Sequence, residues 1–346
     1  MPTPTQQKAL FLLEKQGQFA VRDRDVPIPK RGELLIRNES VGLNPVDWKI
    51  QQWGMFLDNY PAIIGAEGAG TIEAVGEGVT DLKKGDRVFY RAVWAVNDRA
   101  AYQQYTLADP TSVTKLPEGI SFDGAATLPT ALASATTGLY SRPGGGLYVP
   151  PWAEGGKGKY AGQPLVVIGG ASVVGSVAIQ FGKLSGFSPI VTTASLKNTA
   201  LLQSYDATHV LDRNLSADAL REEVKKIIGG YPSFVFDAVS LPETQAAGHG
   251  LLAPGGRLLV ILPQSVEATE GRTVTFSMSN VNLQRDPQFG VDLSKVIPVL
   301  LESNEIRPLK VDIVPGGLAG IVSGVEKLRN NQVSGAKLVA HPQETA

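Results

Sequence analysis

Four apolar residues, Leu165-Val166-Val167-Ile168, run straight into Gly169-Gly170-Ala171-Ser172-Val173-Val174-Gly175, and a helical apolar pattern follows over residues 174–185. A short apolar run that ends in glycines and resumes at helical period reads as a buried strand, a tight turn and a helix. A second buried-type run at 189–193 closes a βαβ unit. The alternation continues with a helix at 198–205, a strand at 209–211, a charged helix at 217–228 and strands at 234–238 and 256–261. Strand and helix in this rhythm place the chain in the α/β class, with a doubly wound parallel sheet.

The first third has a different texture. Short apolar or alternating segments at 33–37, 70–75 and 87–92 are punctuated by Gly, Pro and Asp, and Gly65, Gly68, Gly70, Gly76, Gly78 and Gly85 crowd one stretch. That density suits turns and bulges, so a small barrel or open antiparallel sheet is expected there. From about Ser121 the pattern becomes Ala- and Leu-rich and helical over 123–140, interrupted only by Pro129. A Gly/Pro-rich insertion occupies 141–162. The tail returns to helix at 293–303, extended chain at 309–314, helix at 318–330 and strand at 337–340. The 346 residues suit about two domains, expected as 1–125 with 290–346, and 126–289.

Composition removes several functions. Lys and Arg number 32 against 33 Asp and Glu, a net charge of -1, so there is no bulk electrostatic reason to bind nucleic acid or an anionic membrane. No apolar run reaches the ~18 residues of a membrane helix. Cysteine is absent, which removes disulfides, thiolate metal sites and cysteine nucleophiles. His209, His249 and His341 stand far apart, without the short spacing of a metal site, so no metal is expected. The start, Met1-Pro2-Thr3-Pro4-Thr5, is polar and lacks a secretory apolar stretch, which points to the cytoplasm.

The glycine turn carries the first chemistry. It fits G-x-S-x-x-G, with Gly170 for the tight turn, Gly175 for close helix-to-sheet packing, and the helix N-terminus presenting N–H groups to a pyrophosphate. Gly170, Ala171, Ser172, Val173, Val174 and Gly175 are the expected cradle, with Ser172 supplying a hydroxyl donor. At the end of the second strand an Asp or Glu would select the ribose hydroxyl of NAD. The strand ends instead Thr193-Ala194-Ser195-Leu196-Lys197. Ser195 and Lys197, with Arg213 past the third strand, favour the 2′-phosphate of NADPH. Gly170-Ala171-Ser172 also begins like a nucleophile elbow, but Val174 stands in place of its last glycine and nothing partners the serine, which argues against a serine hydrolase.

Val41-Gly42-Leu43-Asn44-Pro45-Val46-Asp47-Trp48-Lys49, Pro61-Ala62-Ile63-Ile64-Gly65-Ala66-Glu67-Gly68, Gly76-Glu77-Gly78-Val79 and Lys84-Gly85-Asp86-Arg87-Val88 resemble motifs of the medium-chain dehydrogenase/reductase superfamily over nearly the whole chain. The resemblance implies a GroES-like β-rich catalytic domain and a Rossmann domain. Zinc-dependent members carry cysteine where this chain has Asn44, histidine where it has Lys49, and Gly-His-Glu where it has Gly65-Ala66-Glu67, so zinc chemistry is not expected. Asp47 and Glu67 are expected to pair with backbone or basic groups. Among zinc-free members, Asn44-Pro45-Val46-Asp47-Trp48-Lys49-Ile50, Gly146-Leu147-Tyr148-Val149-Pro150-Pro151, Ile190-Val191-Thr192-Thr193-Ala194-Ser195, Val314-Pro315-Gly316-Gly317-Leu318 and Val333-Ser334-Gly335-Ala336-Lys337-Leu338-Val339 resemble the fungal trans-acting enoyl reductases of polyketide pathways, with quinone oxidoreductases further off.

What that resemblance implies is hydride delivery from NADPH to an activated C=C bond of an enone, enal or enoyl thioester, with a polyketide synthase as an implied partner and a monomer or homodimer as the assembly. Quinone reduction, and NADPH binding with little turnover, are the alternatives. Lys49 and Asn44 are expected to meet the developing oxyanion. Ser134 occupies the slot where relatives place a threonine near the nicotinamide. A related group uses a tyrosine proton donor at positions that are Met55 and Phe56 here; Tyr60 is the nearby substitute, with water and the cofactor ribose as the other proton sources.

Overall fold

The computed structural model describes residues 3–269 and 271–346. The chain divides into two compact units, one made of Met1–Thr130, Leu293–Glu302 and Pro308–Ala346, the other of Ala131–Asp292 and Ser303–Arg307. The excursion of 303–307 back into the second unit is not announced by the sequence.

In the first unit, strands β1 (Gln6–Leu12), β2 (Phe19–Asp25), β3 (Leu34–Gly42), β4 (Ala62–Ile63), β5 (Glu67–Val75), β6 (Arg87–Arg91), β7 (Tyr105–Ala108) and β8 (Val113–Lys115) accompany helix α1 (Pro45–Trp53) and short α2 (Phe122–Ala125). Helix α3 (Pro129–Tyr140) then carries the chain into the second unit. There β9 (Leu165–Ile168), α4 (Val173–Leu184), β10 (Ile190–Ala194), α5 (Thr199–Ser204), β11 (His209–Asp212), α6 (Ala217–Ile228), β12 (Phe234–Asp237), α7 (Pro242–Leu251), β13 (Arg257–Val260), β14 (Thr273–Phe276) and α8 (Ser279–Arg285) alternate. Helix α9 (Pro287–Glu302) leads back, and β15 (Val311–Val314), α10 (Gly317–Arg329) and β16 (Lys337–Ala340) finish the first unit.

Two sheets organise the first unit, β2-β1-β4 and a larger one ordered β15-β16-β3-β5-β6-β8, with β7 also paired to β3. The tail therefore supplies interior structure: β16 pairs antiparallel with β3 at Val339 to Gly42 and Ala340 to Val41. This register brings residues near the C-terminus beside the segment that leads into α1.

The second unit holds a parallel sheet ordered β11-β10-β9-β12-β13-β14. Strand order reverses between β9 and β12, which opens a crevice at the carboxyl ends of those strands, the usual place for a nucleotide. All four side chains of β9 are buried, as a central parallel strand requires; each such side chain contributes about 1.5–3 kcal/mol. The sequence pattern misses β14 and α7. The Thr-Val-Thr-Phe run of β14 is short and half polar, and α7 spends two of its ten positions on glycine, so both depend on packing more than on local propensity. Among the described residues no helix is long and apolar enough to cross a membrane.

Candidate active site

Helix α1 is set by its own ends. Pro45 takes the first helical position, the Asp47 carboxylate accepts from the Asn44 backbone N–H at 2.6 Å, and Gly54 closes the helix in the left-handed region at φ 61°. Lys49 and Asn44 are thus held on one rigid element.

The Asn44 side chain is buried among polar groups of its own unit. It is 3% exposed, and both ends of its amide are taken: Nδ2 donates to Glu67 Oε1 at 2.6 Å and Oδ1 accepts from Lys337 Nζ at 2.6 Å. Lys337 also pairs with Glu67, and Glu67 Oε2 accepts from the Thr130 backbone N–H at 2.7 Å. A buried amide must find partners on both sides, and here those partners are a buried carboxylate and a buried ammonium. In this structure Asn44 bridges the Glu67 carboxylate and the Lys337 ammonium. Gly42 makes room for the bridge, since a Cβ there would lie 2.8 Å from Glu67 Oε1, 2.9 Å from Lys337 Cε and 2.5 Å from the Ala126 carbonyl oxygen. Sequence reading missed Lys337, although a lysine heading the otherwise apolar Lys-Leu-Val-Ala strand was a usable signal.

Asp47 is buried next to this network. Tyr102 Oη donates to its Oδ2 at 2.5 Å, while Oδ1 has no partner among the described residues. Burial pushes its carboxyl up to about 6, against the opposing pull of the Tyr102 and Asn44 donors and of Lys337. Because the native state holds this proton more tightly than the unfolded chain, stability falls as pH rises from about 4 through 6. Asp47→Asn, which does not titrate, should gain about 3 kcal/mol on the parent across that interval. Urea unfolding at pH 4 and pH 7 checks this, and an unchanged difference between the two proteins would refute it.

Lys49 is half-buried, and among the described residues its ammonium has no carboxylate partner. Burial lowers its pKa. Tyr60 lies in the loop after α1, packed against the core of the first unit, with its Oη buried and without a partner among the described residues; burial and the charge of Asp58 raise its pKa, so the phenol keeps its proton. Ser134 belongs to the second unit and is half-buried on α3, with its Oγ 3.4 Å from Ser279 Oγ. It is almost free to bond elsewhere.

At the glycine turn, the left-handed residue is Gly169 at φ 78°, rather than Gly170. Gly170 serves close packing instead, because a Cβ there would fall 2.1 Å from Thr192 Oγ1 of the neighbouring strand. Gly175 makes room for the turn itself: a Cβ there would lie 2.4 Å from the Gly169 carbonyl oxygen. Ser172 caps α4, its Oγ accepting from the Gly175 N–H at 3.0 Å. Its hydroxyl proton is still available as a donor. With Gly175 capped and Ser176 bonded back to the Ser172 carbonyl, the Val173 and Val174 amides are left at the helix N-terminus. Half-exposed Ala171 flanks them. These residues fit a pyrophosphate.

Beyond β10, Ser195 is half-buried and Lys197 exposed. Exposed Arg213 is tied beside them by its backbone N–H, which donates to the Ala194 carbonyl at 2.9 Å. The structure brings Ser195 and Arg213 to one strand end. It also places Asp212 opposite Ala194, an acid that sequence reading passed over; its Oδ1 accepts from the Asn214 N–H at 2.9 Å.

Residues 30–118 match the alcohol dehydrogenase GroES-like domain family, and residues 173–285 the zinc-binding dehydrogenase family. The metal of the second name does not fit: amide, lysine and alanine side chains stand at 44, 49 and 66, and among the described residues no group of three or more His, Cys, Asp or Glu could hold a metal ion. A trans-enoyl reductase of a Fusarium species is 30% identical, covering 96% of this chain and 98% of its own. One from Aspergillus japonicus is 32% identical over 89% of each. Among solved structures, a mycobacterial protein in complex with NADPH is 23% identical with a TM-score of 0.80, covering 97% of this chain and 100% of its own. A Pseudomonas syringae quinone oxidoreductase is 21% identical with a TM-score of 0.78, covering 96% and 99%. With a GroES-like unit, a Rossmann unit and relatives matched almost end to end, the chain belongs to the medium-chain dehydrogenase/reductase superfamily of oxidoreductases, alongside the fungal trans-enoyl reductases.

Proposed function

We propose that the protein is an NADPH-dependent reductase of activated C=C bonds, acting on an enone, enal or enoyl thioester. The observation that carries this reading is Lys49, a half-buried ammonium with no carboxylate to neutralise it among the described residues. An unpaired cation on a well-capped helix suits an oxygen that becomes negative during reaction. NADPH, when bound, supplies the hydride.

The protein supplies binding and charge. Amides of Val173 and Val174 with the Ser172 hydroxyl hold the pyrophosphate at the α4 N-terminus. Ser195, Lys197 and Arg213 meet the 2′-phosphate. Lys49 stabilises the enolate oxygen, and Ser134 offers a second hydroxyl donor. Tyr60 holds a phenolic proton and is the chain's candidate to protonate the α-carbon. The trans-enoyl reductase relatives support an enoyl thioester, presented by a polyketide synthase. A quinone is the second reading, supported by the quinone oxidoreductase among the structural neighbours.

NADPH oxidation measured across enals, enones, enoyl thioesters and quinones tests the reading. Preference for unsaturated carbonyls is expected, and oxidation by none of them despite tight NADPH binding would replace it with a cofactor-binding protein. Lys197→Ala should raise the NADPH Kd roughly tenfold while leaving that of NADH nearly unchanged, since one charge-assisted bond of ~1.5 kcal/mol is lost. Equal weakening of both cofactors would remove the 2′-phosphate contact.

A further inference from the structure

Two indoles hold the Lys49 ammonium. Its Nζ lies 5.6 Å from the ring centroid of Trp48 and 5.6 Å from that of Trp53, and the two rings meet edge to face with centroids 5.3 Å apart. Both distances are within reach of a cation–π attraction. Trp53 stands four residues after Lys49, on the same face of α1, and the helix ends directly behind it at Gly54. Trp48 packs against the core of the first unit, whereas Trp53 is 55% exposed. Hydrophobic burial accounts for the first ring and leaves the second without a purpose.

We propose that Trp48 and Trp53 form an indole clamp that fixes the Lys49 ammonium in place without neutralising its charge, which makes both tryptophans positioning residues for the reaction. The inference rests on Lys49 being the group that meets the substrate oxygen. A carboxylate would hold the ammonium as firmly, but it would cancel the charge that a developing oxyanion needs. An aromatic face attracts the cation through its quadrupole and carries no net charge of its own. A lysine stem has several rotatable bonds, so an unclamped ammonium would spread over many positions and lose the preorganisation on which such stabilisation depends.

Trp53 is the residue to change, because its exposure makes a folding defect improbable on physical grounds. Four variants are compared with the parent: Trp53→Leu, Trp53→Phe, Lys49→Met and Lys49→Met/Trp53→Leu. In single-turnover hydride transfer from bound NADPH, Trp53→Leu should lose about tenfold and Trp53→Phe no more than about threefold, since a benzene face retains part of the attraction. NADPH Kd should not move. In the Lys49→Met background, Trp53→Leu should have no further effect, because the indole acts only through the ammonium. The same loss in both backgrounds overturns the clamp. A second readout needs no turnover: competitive acetylation by acetic anhydride, with exposed Lys327 as reference, should label Lys49 several-fold faster in Trp53→Leu than in the parent. Unchanged labelling also overturns it. If the parent reduces no unsaturated substrate, the functional reading falls, and acetylation decides the clamp by itself.

Discussion

If Lys49 meets the enolate oxygen as proposed, Lys49→Ala should lower single-turnover hydride transfer by about 10²-fold, as the loss of one preorganised donor to a developing oxyanion does, and should leave the NADPH Kd nearly unchanged. Lys49→Arg should restore only part of the rate, because a planar guanidinium does not reproduce a point charge at one oxygen. Single turnover is the right measurement, since product release would hide the chemical step in steady-state rates. Turnover by Lys49→Ala at the parent rate would make Lys49 a solvated lysine and pass the oxyanion role to Ser134. Asn44 has one amide N–H left for such a role, since Nδ2 already donates to Glu67 and Oδ1 accepts from Lys337.

Lys337→Met should destabilise the protein by about 3–5 kcal/mol, because it leaves the fully buried Glu67 carboxylate without its cation. The loss is a property of the broken pair and not of the lysine alone. Lys337→Met/Glu67→Gln should therefore regain most of the stability: the amide oxygen keeps an acceptor for the Thr130 N–H, and its NH2 can donate to Asn44 Oδ1, which the loss of Lys337 sets free once the Asn44 amide turns over. Urea denaturation of parent, single and double variants measures both numbers. A double variant as unstable as the single one would show that Lys337 acts through packing of its stem, and that its charge is incidental.

Much of the nucleotide-binding half was legible from local pattern. The strand at Leu165–Ile168, the helix that follows and the helix Ala217–Ile228 stand where apolar period and glycine punctuation put them. Individual glycines were less legible. Gly169 and Gly170 are adjacent and chemically identical, yet one makes the turn and the other makes room for Thr192. That assignment depends on φ and on a neighbouring strand, neither of which a motif records.

The class of fold, the strand-glycine-helix turn, the missing acid after β10, the absence of cysteine and the wide spacing of the three histidines are all written in the amino-acid order. Apart from the composition, these are short-range signals, carried by residues that lie within one turn or one strand of each other. The partners of Asn44 and Glu67 come instead from long-range pairing. Their partner Lys337 is 293 positions from Asn44 along the chain, and it arrives because β16 pairs with β3. Once the three polar groups are buried together, each must satisfy the others, since an unpaired charge or amide in that place would cost more than the fold can spare. Lys49, on the same helix as Asn44, has two indole faces beside it and, among the described residues, no carboxylate partner. Whether a polar side chain is consumed by the core or left free for chemistry is settled by what long-range pairing places beside it.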